Sequence, residues 1–135
     1  MDEQKKIVVS HNRNPDNSLY GTEGGSYTDD RVFLLSYSRA RKDFGDTNKL
    51  QDGYKIYPDL MAKPTAYAAK NAAHDDIRNE NNWGTGIWWL RSPGSYGDYA
   101  TVVEETGLVS SSGNYVIDDV GYVRPVILVS LSDGS

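Results

Sequence analysis

Apolar positions in this chain fall into short clusters separated by long polar stretches, a pattern that predicts more short strands than long helices. Residues 7–9 (Ile-Val-Val) predict an early strand, at a sheet edge because polar and charged residues flank it closely. From His11 to Asp30 the chain is dominated by Asn, Asp, Ser, Gly and Pro and predicts a long loop, with at most a hairpin near Gly21 to Ser26. Residues 31–36 (Arg-Val-Phe-Leu-Leu-Ser) carry four apolar positions in a row and predict a strand buried on both faces. Ser36 or Ser38 can cap a short helix running to Phe44, with Gly45 stopping it in a left-handed conformation. Residues 54–58 (Tyr-Lys-Ile-Tyr-Pro) are equally compatible with a strand and an extended loop. Thr65, following Pro64, caps an alanine-rich helix through Ala73 with Tyr67 as its anchor, and the polar run from His74 to Gly86 loops over the surface.

The stretch Trp88-Trp89-Leu90-Arg91-Ser92-Pro93-Gly94, answered later by Gly121-Tyr122-Val123-Arg124-Pro125, is the centre of the pattern. Adjacent tryptophans on a strand point to opposite faces, so one anchors the core while the other covers a second surface or lines a pocket. Arg91 and Arg124 stand inside apolar words and read as structural clamps whose guanidinium groups hold a carboxylate or backbone carbonyls. After Gly94, Val103 to Gly107 and Val109 to Gly113 repeat one rhythm, strand residues closed by a tight turn with glycine at positive φ. Residues 115–117 continue the meander, residues 118–121 turn it, and residues 123–131, apolar on both faces, predict a closing central strand.

Composition narrows the function. The 135 residues suit one α+β domain, and a mean hydropathy of -0.62 with ten tyrosines and thirteen glycines describes a soluble, loop-rich chain. A net charge of -5 with scattered Lys and Arg leaves no basic stripe for nucleic acid and disfavours anionic membranes. No apolar run is long enough for direct membrane insertion, and the first residues do not read as a signal peptide; one could have been removed or belong to a longer parent chain. Without cysteine there are no disulfides, thiolate metal sites or cysteine nucleophiles. His11 and His74 each lack a second ligand at useful spacing, and nucleophile-elbow, phosphate-loop, dinucleotide and zinc-helix motifs are missing. The acidic pairs Asp29-Asp30, Asp75-Asp76, Glu104-Glu105 and Asp118-Asp119 have oxygen ligands for calcium but no EF-hand spacing, and read as solvated turns. Glu104 and Glu105 as strand neighbours face apart, unlike a glycosidase pair. The expectation is therefore no catalytic residues, no metal and no cofactor.

Between the framework residues Gly94, Ala100, Val103, Gly107, Val109, Gly113 and Val116 lie the pairs Ser95-Tyr96, Asp98-Tyr99, Glu104-Glu105, Ser110-Ser111, Asn114-Tyr115 and Asp118-Asp119. Tyr, Ser, Asn, Asp and Gly are the composition of antibody-like contact surfaces, and equally of ordinary turns on a solvated sheet.

The tryptophan word followed by Val123-Arg124-Pro125 resembles the Trp-Trp-Leu-Arg-Ser-Pro-Gly to Gly-Val-Arg-Pro-Ala-Leu pattern of an uncharacterised bacterial and phage domain with a C-type lectin-like fold, related to formylglycine-generating sulfatase modifiers. Residues 32–37 and 64–68 extend the resemblance to about Asp30 through Leu131. It implies an α+β C-type lectin-like fold: two short helices, a small antiparallel or mixed sheet, and a C-terminal strand near the N-terminal one. The modifier's oxidation chemistry needs cysteines, so it is not implied, and the Glu-Pro-Asn or Gln-Pro-Asp signature of calcium-dependent lectins is missing. Many members of the group are similar to variable proteins of diversity-generating retroelements, in which adenine-directed mutagenesis randomises Asn codons. The resemblance thus implies a variable ligand-binding surface of Ser95, Tyr96, Asp98, Tyr99, Ser110, Ser111, Asn114, Tyr115, Asp118, Asp119 and Tyr122, meeting a protein or glycan on another cell or surface. The implied location is extracellular, at a cell surface or on a virion, as part of a longer protein.

Two departures stand against that pattern. Glu104 and Glu105 are not reachable from an Asn codon by adenine mutagenesis, so either they lie outside the randomised set or the chain is a non-variable cousin. Tyr122 replaces the usual glycine before Val-Arg-Pro, which alters the turn or adds Tyr122 to the contact surface. The alternatives are a structural or carbohydrate-binding module of a bacterial surface protein and, in another class, a hydrolase. A Ser or Asp clustered with a histidine in a deep pocket would favour the hydrolase.

Overall fold

Trp88 decides the packing. The computed structural model describes residues 6–70, 84–118 and 121–131, an α+β arrangement in which this indole is 2 % exposed and donates its Nε1–H to the Leu60 carbonyl at 3.0 Å. It lies on β6 (Ile87–Pro93), which pairs antiparallel with β7 (Tyr99–Val103) and parallel with β9 (Gly121–Tyr122); β8 (Val109–Tyr115) pairs antiparallel with β7. The four-stranded order is β8-β7-β6-β9. One row across all four strands, Tyr122, Trp88, Val103 and Val109, meets Leu90, Leu60 and Ala40 in the hydrophobic core. Ala40 comes from α1 (Tyr37–Phe44), Leu60 from a 3-10 turn at Pro58–Leu60. Truncating an aromatic side chain at such a position costs about 3–5 kcal/mol. Trp89, half-buried on the opposite face, packs where a Cβ on Gly121 would come within 2.4 Å of its indole, so only glycine fits there.

Around β7 the sheet is irregular in a way that shapes one end of it. Trp89 pairs with Val102 and Pro93 with Ala100, so Leu90, Arg91 and Ser92 all lie opposite Thr101. On the other side Ser110 pairs with Val102 and Asn114 with Ala100, so Ser111, Ser112 and Gly113 face the same residue. Both neighbours bulge around Thr101, which is completely buried and donates its hydroxyl to the Ser92 carbonyl at 3.1 Å. Gly113 therefore serves a bulge within β8, not the turn its rhythm predicts. Its φ is 70°, and a Cβ there would sit 1.9 Å from the Ala100 carbonyl oxygen. The partner glycine, Gly107, does close the β7–β8 turn, with φ 82°.

Local signals are otherwise borne out in part. Ser36 caps α1, its hydroxyl accepting the Arg39 N–H at 3.1 Å, but Gly45 ends the helix at φ -88°, still right-handed, with its N–H on the Arg41 carbonyl as a last helical bond. Thr65 caps α2 (Ala66–Lys70) at 3.1 Å to the Ala68 N–H; the expected continuation to Ala73 lies outside the described residues. Tyr67, the expected anchor of that helix, is 79 % exposed instead of buried in the core. β1 (Ile7–Val8) is an edge strand, paired with β10 (Leu128–Val129), which brings the two ends of the described chain together.

Several expectations are corrected. The polar run 11–30 is not all loop: β2 (Ser10–Asn12) and β3 (Thr28–Asp30) pair at its two ends. Residues 31–36 do not form a strand, and 123–131 is not a central one; they meet at a single bridge, Phe33 to Val126, and Val32, Val123 and Leu131 are exposed. Of these two runs, Leu35 packs against the core, and only Leu128–Val129 joins a ladder, as β10 beside β1. Residues 115–117 do not extend the meander, since β8 ends at Tyr115 and the chain turns. The ambiguous stretch 54–58 resolves as β5 (Tyr54–Ile56), which pairs with β4 (Lys49–Gln51) across an Asp52-Gly53 turn, a pair suited to tight hairpins.

Candidate functional site

Both bulges lie toward the open end of the β7–β8 hairpin, where Tyr99 starts β7 and Tyr115 finishes β8 next to the loop that joins β6 to β7. That loop is closed on itself: Gly94 N–H donates to the Tyr99 carbonyl at 2.7 Å and Tyr99 N–H to the Tyr96 carbonyl at 3.0 Å. Val116 N–H donates to the Asp98 carbonyl at 3.0 Å, tying the loop to the turn after β8, where Asp118 N–H meets the Tyr115 carbonyl. Within this frame three tyrosines form an edge-to-face chain, with ring centroids 5.2 Å apart for Tyr96 and Tyr99 and 5.6 Å for Tyr99 and Tyr115. Tyr99 and Tyr115 are cross-strand partners, so their side chains necessarily stand on one face. Tyr96 is 64 % exposed, Asp98 and Asp118 are exposed, and Ser95, Asn114, Tyr99 and Tyr115 are half-buried. Val116 and Ile117, expected to belong to the meander, are exposed beside the tyrosines and extend the patch with aliphatic surface.

Not every expected residue joins this cluster. Ser110 and Ser112 hydroxyls lie 3.2 Å apart and Ser110 also accepts the Gly113 N–H, so Ser110 is occupied in shaping the bulge. Ser111 is half-buried and offers its carbonyl to Asn17. Asp119 lies outside the described residues. Tyr122 stands on β9, at the other edge of the sheet from Tyr115. There its hydroxyl is buried without a hydrogen-bond partner among the described residues, and burial pushes the phenol pKa up.

Two polar side chains hold the frame from a distance. Asn17 donates to the Pro93 carbonyl at 3.0 Å and the Ser111 carbonyl at 2.9 Å, linking both bulged strands, while Thr22 donates to the Gly94 carbonyl at 2.6 Å. Sequence reasoning missed Asn17, because an asparagine among turn residues carries no local sign of partners 76 and 94 positions away. Arg91 behaves as the clamp its context predicts: Nε donates to the Leu34 carbonyl at 3.1 Å and Nη1 to the Arg13 carbonyl at 2.9 Å. Burial lowers its pKa, with Asp30 opposing that shift. Arg124 holds no carbonyl or carboxylate among the described residues; its guanidinium lies 4.9 Å over the Trp88 ring.

Of the histidines, His74 is outside the described residues and His11, on β2, places Nδ1 2.6 Å from Asp29 Oδ1 with both side chains exposed. Their neighbour Ser10 gives its hydroxyl to Asn12 instead. Among the described residues no three His, Cys, Asp or Glu side chains come together as a possible metal site. No helix of the described residues is long and apolar enough to cross a membrane.

No curated protein and no solved structure matches the chain. A family model described as a domain of unknown function, DUF6273, matches residues 1–131, which include the tryptophan word, both bulges and the tyrosine chain, and the protein therefore belongs to the DUF6273 family.

Proposed function

We propose that this domain is a ligand-binding, receptor-recognition module that displays a variable surface on a C-type lectin-like scaffold and is diversified by a retroelement. The observation that carries the reading is the edge-to-face chain of Tyr96, which is exposed, with the half-buried Tyr99 and Tyr115, presented by backbone that the bulges, Asn17 and the 94–99 loop hold in place. Tyrosine gives large amphipathic contact area at low entropic cost, and Asp98, Asn114 and Asp118 around it supply adaptable hydrogen bonds. The pairing of β1 with β10 supports the lectin-like scaffold, since the resemblance implies such neighbouring termini. The ligand is a protein or glycan on another cell or surface.

Comparing the same locus in independent isolates tests this. Substitutions are expected at the codons of residues 95, 96, 98, 99, 114, 115 and 118, with a reverse transcriptase gene and a template repeat differing only at adenines nearby. Substitutions spread evenly over framework and surface codons would sink the idea.

Two observations favour other readings. The hydrogen bonds of Ser110 with Ser112 and Gly113 are what a plain structural module predicts for those positions. The His11–Asp29 pair is the start of a hydrolase relay, but the hydroxyl next to it faces the other side of the strand and Ser36 is engaged as a helix cap.

A further inference from the structure

On the edge of the sheet away from the tyrosine chain lies a cleft of about 560 Å³, between the segment that leads into α2 and the stretch following β9. Its walls are largely apolar, from Met61, Ala62, Pro64 and Val123, with Trp88 at the base. A cleft of this volume suits a small molecule. The charged side chains lining it, Lys63 and Arg124, are both basic in a chain whose net charge is -5.

Arg124 is the unusual member. It is exposed, and among the described residues its guanidinium lies only over the Trp88 ring, with no carboxylate or carbonyl holding it. Stacking on an indole orients the guanidinium while leaving its N–H edge free to donate. Asp59 lines the adjoining cleft on the other side of Arg124 without forming an ion pair with it. Tyr122 lines the first cleft as well, and its buried hydroxyl has no hydrogen-bond partner among the described residues, an unfavourable state that a ligand acceptor would relieve.

We infer that this cleft binds a small organic carboxylate with an apolar body. The carboxylate takes both N–H groups of the Arg124 fork, Lys63 adds charge at the rim, and the Tyr122 hydroxyl donates to the ligand. The apolar body fills the space beside Met61, Pro64 and Val123. Phosphate fits less well, because it would leave those walls wet and asks for more donors than one fork and one hydroxyl.

A nitrogen-15 NMR titration of the intact chain with 3-phenylpropanoate, against neutral 3-phenylpropanamide and inorganic phosphate, decides it. The carboxylate is expected to shift the Trp88 Nε1–H and Arg124 Nε–H signals at millimolar concentration, and to bind about tenfold or more tighter than the amide or phosphate. In Arg124→Gln its affinity should fall to that of the amide. Tyr122→Phe removes only an unpartnered hydroxyl, so it should fold at least as well as the parent and bind the carboxylate several-fold more weakly; it decides the matter if Arg124→Gln does not fold. Equal binding of acid and amide overturns the inference. So does the absence of shifts at about 10 mM, a ceiling that covers even weak fragment binding, or full affinity in the variants.

Discussion

Removing the Arg91 clamp tests the claim that its guanidinium holds residues 13 and 34 to β6. Arg91→Met keeps the aliphatic stem and deletes the Nε bond to the Leu34 carbonyl at 3.1 Å and the Nη1 bond to the Arg13 carbonyl at 2.9 Å; the 3.3 Å contact with Asn14 is long and adds little. Hydrogen bonds from a charged donor contribute about 1.5–3 kcal/mol each, and the Arg13 bond is discounted because it is exposed. Leu34 would also keep a part-buried carbonyl without its donor. The expected loss is about 3 kcal/mol, a large share of the 5–15 kcal/mol typical of a domain. For a chain of this length that corresponds to a fall in Tm of about 10 °C. Urea unfolding of parent and variant, followed by tryptophan fluorescence, measures it, and an unchanged m-value assigns the loss to the native state. Arg91→Lys retains the charge but not the fork, and should recover less than half. If Arg91→Met unfolds within about 0.5 kcal/mol of the parent, a value typical of plain surface changes, the guanidinium is not holding residues 13 and 34 to β6, and the reasoning is wrong.

Two further outcomes follow from the same frame. Gly113→Ala places a methyl 1.9 Å from the Ala100 carbonyl at a φ of 70°, so the bulge must open; urea unfolding should show a loss of more than about 2 kcal/mol, beyond the ordinary cost of alanine at positive φ, and a neutral result would refute the bulge. Asp30 accepts from Thr28 and Asn12 and faces Arg91, so its folded pKa lies below the unfolded value of 3.8. Its contribution to stability is present above that value and is lost as pH falls through the lower folded pKa, so Asp30→Asn should flatten the acid limb of a Tm-against-pH curve below about pH 4 while changing its shape little at neutrality. An unaltered acid limb would show that Asp30 does not carry this dependence.

The candidate surface was partly legible. Tyr96, Tyr99 and Tyr115 stand out as aromatic residues between small framework positions, and the structure brings them together because Tyr99 and Tyr115 are paired. Tyr122 carries the same signal and ends up at the opposite edge, since a parallel pairing with β6 cannot be read from spacing. Val116 and Ile117 show the reverse error: aliphatic residues after a strand read as more strand, yet the chain has already turned.

What the sequence determined by itself is what depends on near neighbours. Ser36 three residues before an amide it can cap, Thr65 before an alanine run, glycine in the Glu104-Glu105-Thr106-Gly107 turn and two tryptophans facing apart on one strand each follow from local geometry. Tertiary structure alone decided where distant segments meet. The runs 31–36 and 123–131 have the apolarity of strands but share one bridge, because burial and ladder pairing draw on the same residues and only the competing partners choose between them. Likewise Asn17 satisfies carbonyls that exist as free acceptors only after β6 and β8 have bulged around Thr101, a condition no window of sequence contains.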